Sequence, residues 1–238
     1  KAFPISIDVA SFKELARRPE TIERARQIRE ELGNPTTIML GVDRLDYTKG
    51  IRHRLKAYGE LLRDGDIDVG DAVLVQVASP SRERVAAYMQ LRDEIELTVG
   101  RLNGTYSTIS HNAIAYLHHG YPREEMAALY LAADIMLVTA LRDGMNLVAK
   151  EYVACRHDDD GVLLLSEFAG ELKNALLINP HDIDGLKESM VKALRMPKKE
   201  RASRMRSLRR RVRENDVSSW SDSFLSTLRQ SADAARSV

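Results

Sequence analysis

Short apolar runs alternate with longer amphipathic segments through the middle of the chain, and this alternation restricts the possible folds more than any other feature. Continuous apolar runs of about four to eight residues predict buried strands, and the segments between them have the length and composition of helices. The predicted strands cover 36–42, 72–78, 112–117, 135–138, 162–165 and 175–178. Because parallel strands need crossover connections, we predict an α/β fold with a Rossmann-like parallel sheet and helices on both faces.

The remaining segments complete this pattern. Residues 3–8 are predicted to be extended, and no internal repeat is detected. The first helix, at 11–32, can be interrupted at Pro19, because proline lacks a backbone donor and restricts the residue before it. The other predicted helices cover 51–63, 84–99, 123–132 and 145–155, followed by three charged helices between 182 and about 228.

The composition excludes several classes of partner. The 238 residues suffice for one large or two small domains, and a formal net charge of +1 gives no reason to expect a nucleic acid or an anionic membrane. No apolar run reaches the ~20 residues that span a bilayer, and no signal-peptide pattern is present. Cys155 is the only cysteine, which excludes an intramolecular disulfide and favours a reducing, cytoplasmic location. The chain starts at Lys1, so we expect it to be part of a longer protein.

The turn at 142–144 follows a predicted strand and precedes a predicted helix. Gly144 lets the backbone approach a ligand closely, and the start of the helix offers unpaired N–H groups to an anion. This arrangement favours a phosphate or an oxygen-rich sugar, and Glu151 can accept hydrogen bonds from vicinal hydroxyls. The alternative is an ordinary helix start, with Asp143 as the N-cap and Glu151 on a solvated face.

Other turns are expected at the same edge of the sheet, because the carboxyl ends of parallel strands lie together. Arg44 and Lys49 follow the first strand, and a guanidinium beside an ammonium suits a diphosphate. Arg82 follows the second strand, and Tyr121, which can stack on a base, follows the third. Each residue alone is better explained as a solvated loop side chain. Their expected convergence with Asp143 is what favours a binding site.

Three segments resemble the signature sequences of the trehalose-6-phosphate synthases, a family of retaining glycosyltransferases with the GT-B fold. These segments are VDRLDYTKG at 42–50, LRDGMNLVAKEY at 141–152 and LSEFAG at 165–170. GT-B enzymes have two Rossmann-like domains that face each other across a cleft. The resemblance implies that residues 1–238 are one nucleotide-sugar-binding domain, the C-terminal half of such an enzyme. The N-terminal acceptor domain is absent from this chain, and residues from about 214 to 238 are expected to pack toward it.

The resemblance also assigns a donor site to this chain. Arg44 and Lys49 are implied to hold the donor diphosphate, and Asp143 is implied to bind hydroxyls of the transferred glucose. These three are the implied catalytic residues. The implied donor-binding residues are Arg44, Lys49, Tyr121, Asp143, Gly144, Met145, Asn146, Leu147, Val148, Ala149, Lys150 and Glu151.

The resemblance implies that different residues bind different parts of the substrates. Backbone groups at 144–148 are implied to contact the sugar and the phosphates. Glu151 is implied to bind the ribose hydroxyls, and Tyr121 is placed near the base. Arg82 matches the arginine that reaches the phosphate of the acceptor. No metal and no tightly bound cofactor are expected, since the nucleotide sugar enters as a substrate.

The reaction implied is transfer of glucose from UDP-glucose, or a related nucleotide donor, to glucose 6-phosphate, giving α,α-trehalose 6-phosphate. Retention is implied to proceed by front-face attack, in which the departing phosphate takes the acceptor proton. The isolated chain is then expected to be inactive. Two alternatives stay open, namely another retaining GT-B enzyme of the glycogen or sucrose synthase type, and a non-catalytic nucleotide-sugar sensor. The preferred nucleotide also stays open, as does assembly into a homo-oligomer.

Two departures from the family pattern concern the surroundings of the site. Ala140 replaces an expected proline, a change that can loosen the approach to the turn. After Gly170 the family has a few more small residues, and we expect a gap in the chain there rather than a true deletion. Elsewhere, the run at 158–160 fits an Asp-x-Asp metal pattern but lies in a polar loop, and the arginines at 201–213 are interpreted as a solvated helix face.

Overall fold

A computed structural model describes residues 2–170 and 172–236, and it confirms the α/β prediction. The described residues form one sheet of six parallel strands. The strands are β1 Thr37–Arg44, β2 Ala72–Ser79, β3 Ile114–Leu117, β4 Ile135–Val138, β5 Val162–Ser166 and β6 Leu176–Ile178. Each strand coincides with a predicted apolar run, and its ends lie within two residues of the predicted ones.

The helices lie between the strands and after the last one. They are α1 Val9–Leu15, α2 Pro19–Glu31, α3 Ile51–Asp64, α4 Ala86–Tyr106, α5 Arg123–Ala132, α6 Leu147–Cys155, α7 Ile183–Leu194, α8 Lys198–Glu214 and α9 Val217–Arg236. A short 3₁₀ helix, Tyr47–Lys49, precedes α3. The interruption at Pro19 is confirmed, since this proline begins α2. Residues 237 and 238, which follow α9, lie outside the described residues, so the prediction that residues from about 214 to 238 pack toward the missing domain extends beyond them.

Helix α4 continues to Tyr106, seven residues beyond the predicted end at 99, despite two glycines in its last turns. Tertiary contacts explain the difference. Leu102 packs against Gly59 of α3, where an added Cβ would lie 2.7 Å from a Leu102 methyl carbon. The Asn103 side chain donates to the Ile114 carbonyl and accepts from the Ile114 N–H, at 2.9 and 2.8 Å, so it joins the helix end to β3. These contacts outweigh the low helix propensity of glycine.

The strand order is β3-β2-β1-β4-β5-β6, with β1 and β4 as the central pair. The chain order reverses between these two strands, and ligands of doubly wound sheets bind at such a point. Strand β1 pairs with β2 along its whole length, from Thr37↔Ala72 to Arg44↔Ser79. It pairs with β4 only at Met39↔Ile135 and Leu40↔Met136 among the described residues. The two central strands therefore separate toward their carboxyl ends and leave a crevice.

Two apolar layers cover the sheet. Helices α3, α4 and α7 contribute to the core on one face, and α1, α2, α5, α6 and α8 contribute to the core on the other. Helices on both faces are thus confirmed. Within the described part of the chain, no helix combines the length and hydropathy needed to cross a membrane.

Candidate functional site

Three turns meet at the carboxyl edge of the central strands and are joined through their backbones. The N–H of Leu141 donates to the Thr48 carbonyl at 2.7 Å, which ties the turn after β4 to the turn after β1. The N–H of Asp143 donates to Phe168 at 3.2 Å, which ties the same turn to the loop after β5. The predicted convergence of the turns after β1 and β4 is therefore confirmed. Their relative position is fixed by backbone hydrogen bonds and not by side chains alone.

An ion pair lies at the centre of this arrangement. The Lys49 ammonium is 2.7 Å from Oδ2 of Asp143, and each side chain keeps only 13 to 14% of its surface exposed. The amide of Asn146 donates to the same carboxylate oxygen at 3.2 Å. A cation and an anion are thus held together in a partly dry setting, where each can exchange its partner for an oppositely charged or polar group of a ligand.

The start of α6 differs from the sequence-based alternative. Asn146 is the N-cap, because its Oδ1 accepts from the N–H of Ala149 at 2.9 Å, and the helix begins at Leu147 instead of 145. The expectation that Asp143 caps the helix is wrong, since its carboxylate is directed to Lys49 and the Asn146 amide. The first turn of a helix presents N–H groups to anions. Among the described residues, those of Leu147 and Val148 have no hydrogen-bond acceptor, whereas Asn146 has satisfied Ala149.

Arg44 ends β1 and has an exposed side chain. Within the described ranges it forms no ion pair, which distinguishes it from Lys49. The nearby carboxylate of Asp46 accepts from the N–H and the hydroxyl of Thr48 at 2.9 and 2.8 Å. Burial opposes ionisation of Asp46, but hydrogen bonds from Thr48 and Tyr88 and the charge of Arg44 hold its pKa below the usual value. Asp46 therefore stays charged and its hydrogen bonds go to Thr48 and Tyr88, so the exposed Arg44 guanidinium can contact a ligand.

Arg82 follows β2 and is held in place by an aromatic side chain. Its backbone has φ of 49°, in the left-handed region that non-glycine residues seldom adopt. Its guanidinium donates to the Tyr88 hydroxyl at 2.9 Å and lies 5.4 Å from the centre of that ring. Tyr88 in turn donates to Asp46 at 3.1 Å, so Arg82 is coupled to the turn after β1. Tyr88 was missed by sequence reasoning because it reads as an ordinary helix residue of α4.

Glu151 lies on a partly buried side of α6. The Tyr130 hydroxyl of α5 donates to its Oε2 at 2.8 Å, and burial raises the pKa of Glu151 although this hydrogen bond opposes the rise. The alternative that Glu151 occupies a solvated face is therefore wrong. Its carboxylate keeps acceptor capacity for a ligand hydroxyl, since an ionised carboxylate offers several lone pairs.

The other residues of the predicted site have different surroundings. Tyr121 follows β3, and its ring lies 4.4 Å from that of His119, tilted by 59°. The Lys150 ammonium donates to the Ile5 carbonyl at 2.8 Å, so it holds the extended segment that enters the domain. Gly144 is exposed and Met145 half-buried. Tyr121 thus remains accessible to a ligand, whereas the Lys150 side chain serves the entering segment.

The two departures from the family pattern have different outcomes. Ala140 is completely buried, and its carbonyl accepts from the Ser166 hydroxyl at 2.7 Å, so this position is held without proline. The sequence joins Gly170 directly to Glu171, so the expected gap is wrong and the loop itself is short. Glu171 lies outside the described residues.

The acidic run at 158–160 is paired with arginines. Asp158 forms an ion pair with Arg156 at 2.9 Å, and Asp159 and Asp160 form ion pairs with arginines of α8 at 2.6 and 3.0 Å. The helix face at 201–213 is therefore partly engaged in ion pairs instead of being wholly solvated. Across residues 2–170 and 172–236, no group of three or more His, Cys, Asp or Glu side chains is arranged to hold a metal ion.

A doubly wound parallel sheet with cations, a carboxylate and a helix start at its switch point defines a Rossmann-like domain. The particular family follows from comparison with known proteins. The model of glycosyltransferase family 20 matches residues 1–230, and the chain belongs to this family.

Similar proteins carry the name trehalose-6-phosphate synthase. The chain is 56% identical over 233 residues to the synthase of Mycobacterium avium, a match that covers 97% of this chain and 47% of that protein. A Burkholderia xenovorans synthase solved in complex with glucose-6-phosphate is 40% identical, with a TM-score of 0.91, over 96% of this chain and 51% of the other. An Escherichia coli structure bound with UDP-2-fluoro glucose is 37% identical, with a TM-score of 0.90, over 97% and 52%.

The chain spans about half the length of the curated relatives it matches, and it corresponds to their C-terminal half. The neighbouring structures share its six-stranded parallel sheet and surrounding helices, which identifies the domain as one half of a GT-B glycosyltransferase fold. The resemblance seen in the three signature segments is thereby confirmed. The activity and substrates of a complete enzyme still depend on residues that this chain does not contain.

Proposed function

We propose that this chain is the donor-binding half of a retaining glucosyltransferase. The complete enzyme transfers glucose from UDP-glucose, or a related nucleotide-glucose, to glucose 6-phosphate and forms α,α-trehalose 6-phosphate. The observation that carries the proposal is the ion pair between Lys49 and Asp143 at the switch point, 2.7 Å long and beside the start of α6. The Escherichia coli neighbour bound with UDP-2-fluoro glucose supports this choice of donor.

The ion pair suits a nucleotide sugar because the bond that breaks joins a diphosphate to a glucose. Lys49 can bind the diphosphate and Asp143 can bind the glucose. Lys49 and the exposed Arg44 can neutralise the diphosphate, with help from the positive end of the α6 dipole. Asp143, released from Lys49, can accept hydrogen bonds from glucose hydroxyls. As the glycosidic bond breaks, negative charge grows on the phosphate, and the same cations stabilise it.

Retention follows in this proposal from front-face attack. The acceptor hydroxyl approaches the anomeric carbon from the side of the departing phosphate, and that phosphate oxygen takes the proton. A double displacement would need a carboxylate nucleophile against the anomeric carbon. After Lys49 has moved to the diphosphate, Oδ2 of Asp143 still accepts from the Asn146 amide, which suits a hydroxyl-binding role better than nucleophilic attack.

Other residues contact the remaining parts of the substrates. Glu151 binds the ribose hydroxyls from its half-buried position, and Tyr121 lies near the base. The backbone of 144–148 contacts the sugar and the phosphates. Arg82 binds the phosphate of glucose 6-phosphate, a role supported by its exposed guanidinium and its anchorage on Tyr88. The Burkholderia xenovorans neighbour in complex with glucose-6-phosphate supports this choice of acceptor.

The complete enzyme contains an N-terminal acceptor domain that closes the cleft, and this chain alone is inactive. Apolar side chains of α9 support a contact with that domain, since Phe224, Leu225 and Leu228 are each more than 40% exposed. We further propose that the enzyme is cytoplasmic and needs neither a metal nor a tightly bound cofactor. We also propose that it forms a homo-oligomer whose contacts lie outside the site.

Calorimetric titration of the chain with UDP, UDP-glucose, GDP and ADP tests the donor site. We expect one nucleotide to bind and Lys49→Ala to abolish most of that binding. A chimera that joins the N-terminal half of the Mycobacterium avium relative to this chain tests the reaction. Formation of trehalose 6-phosphate supports the proposal, whereas a folded chimera that uses a different acceptor, or that binds the donor without turnover, contradicts it.

A further inference from the structure

Arg54 is a completely buried arginine that connects the strands around the crevice. Its Nη1 donates to Oδ2 of Asp43 on β1 at 2.8 Å, and its Nη2 donates to the hydroxyl of Thr139, just after β4, at 2.9 Å. Nη1 also donates to Oε1 of Gln76 on β2 at 2.6 Å. One guanidinium thus links three neighbouring strands close to the edge that carries the candidate site.

The sheet makes room for this side chain at Gly41. A Cβ at that position would lie 1.9 Å from Nη1 of Arg54 and 2.6 Å from Oε1 of Gln76. A buried ion pair is a weak source of stability, because the loss of hydration offsets much of the attraction. Within the described part of the chain, Nε of Arg54 has no hydrogen-bond partner. Stability alone therefore does not account for a charged group at this place.

Thr139 connects Arg54 to the turn that carries Lys49. Its hydroxyl oxygen accepts a hydrogen bond from Arg54. The hydroxyl proton is shared between the carbonyls of Lys49 and Gly50, at 3.4 and 3.3 Å. The Thr139 carbonyl approaches Gly50 so closely that a Cβ there would lie 2.0 Å away. The backbone N–H of Arg54 also donates to the Gly50 carbonyl at 3.0 Å. That backbone bond is the first hydrogen bond of α3 and does not depend on the side chain at position 54. The Arg54 guanidinium therefore holds the Lys49–Gly50 turn from its buried side through Thr139.

We propose that Arg54 is a positioning residue of the donor site. Its guanidinium orients the Thr139 hydroxyl and thereby sets the Lys49–Gly50 turn, which places the Lys49 ammonium for a diphosphate. The identity of the ligand rests on the proposed function, whereas the positioning itself rests on the contacts of Arg54. Displacement of a binding group by about 1 Å can lower activity by roughly 100-fold, so loosening of the turn should be measurable in ligand affinity.

The first experiment compares Arg54→Met with Tyr58→Phe in the 238-residue chain. Tyr58 is also completely buried on α3, but its hydroxyl donates to Ala72 and Ala113, at the opposite edge of the sheet. We expect Arg54→Met to raise the Kd for UDP by about tenfold or more. Tyr58→Phe should leave the Kd unchanged even where it lowers the thermal stability of the domain as much as Arg54→Met does. A folded Arg54→Met variant with wild-type affinity overturns the inference, as does equal weakening by Tyr58→Phe.

The second experiment keeps the inference testable if Arg54→Met does not fold, or if the wild type binds none of the nucleotides. Thr139→Val removes only the connecting hydroxyl, and Thr139→Ser retains it. Amide hydrogen exchange in peptides that cover 45–52 should become faster in Thr139→Val and stay at the wild-type rate in Thr139→Ser and Tyr58→Phe. Unchanged exchange in Thr139→Val overturns the positioning role. Absence of nucleotide binding by the wild type instead contradicts the proposed function.

Discussion

The ammonium of Lys49 lies 2.7 Å from Oδ2 of Asp143, although the two residues follow different strands and are separated by 94 positions in the sequence. In the unliganded domain the acid neutralises the cation. Binding of a diphosphate therefore exchanges one anion for another at Lys49 instead of filling a vacant positive site. Because of this exchange, replacement of Lys49 and replacement of Asp143 should change the affinity for a diphosphate in opposite directions.

Replacement of each member of this pair should separate their roles. Lys49→Ala should raise the Kd for UDP by about tenfold or more, because a hydrogen bond to a charged group contributes roughly 1.5–3 kcal/mol. Asp143→Asn should strengthen UDP binding, since Lys49 loses its internal counter-ion, and should remove any preference for UDP-glucose over UDP. Calorimetry with both ligands measures this. Lys56→Ala, which breaks an exposed ion pair with Glu60 on α3, is the control that should change neither affinity.

Arg44→Ala should weaken binding without affecting folding. Its side chain is exposed and has no ion-pair partner among the described residues, so the free energy of unfolding should change by less than about 0.5 kcal/mol. The Kd for UDP should nevertheless rise several-fold. Arg52→Ala is a matched control, because Arg52 is an exposed arginine nearby that pairs with Glu94. Equal effects of the two substitutions on affinity would show that Arg44 acts only through the general charge of the surface.

Two glycines with similar backbones should respond very differently to alanine. Gly50 and Gly65 have φ of 67° and 77°, a region that costs an L-residue about 1–2 kcal/mol. A Cβ at Gly65 meets no atom within 4 Å, whereas one at Gly50 lies 2.0 Å from the Thr139 carbonyl. Gly65→Ala should therefore cost about 1–2 kcal/mol and Gly50→Ala about 3 kcal/mol or more. Denaturant unfolding of both variants measures the difference, and equal costs would contradict the close approach at Gly50.

The raised pKa of Glu151 should make stability depend on pH. Burial favours the protonated form in the folded state, although the Tyr130 hydrogen bond partly opposes this. Unfolding then releases a proton between the unfolded pKa, near ~4.3, and the raised folded pKa, so the wild type loses stability as the pH rises through that interval.

Glu151→Gln lacks this titration, so its stability relative to the wild type should increase across the interval and level off above it. Tyr130→Phe removes a hydrogen bond that favours the charged form, which should extend the interval to higher pH. Urea unfolding of the three proteins at several pH values tests both statements. A difference between Glu151→Gln and the wild type that does not vary with pH would show that burial leaves the carboxylate unaffected.

The single thiol should be inert in the folded chain. Burial raises the pKa of Cys155 to about 12, so almost no thiolate is present at pH 8. A thiol reagent such as Ellman's reagent should therefore react with the native protein only at the rate of unfolding and with the denatured protein at once. Rapid labelling of the native chain, without loss of its circular dichroism, would contradict this burial.

The sequence was sufficient to predict that the turns after β1 and β4 meet, but it did not identify the groups that support them. Lys49 and Asp143 could be expected to meet because carboxyl ends of parallel strands share one edge. Arg54 could not be recognised, since one arginine among the charged residues of α3 resembles a surface residue until the strand order brings Gln76 and Thr139 around it.

The start of α6 shows a related limit of local patterns. Asp143 and Asn146 are both good N-cap residues, so the sequence alone does not decide between them. In the structure, Lys49 from the turn after β1 and the Asn146 amide both engage the Asp143 carboxylate, and Asn146 caps the helix. Similarly, the length of α4 depends on the contact of Leu102 with Gly59, which no pattern within α4 reveals.

The backbone hydrogen bonds among the three turns also have a thermal consequence. Thr48 accepts from Leu141, and Phe168 and Ala169 accept from Asp143 and Asn146. The conformational entropy of these turns is therefore lost when the domain folds and not when the donor binds. If the turns loosen on heating, the nucleotide must order them again when it binds, and this entropy loss weakens binding. We thus expect nucleotide affinity to decline at temperatures where the sheet itself is still intact.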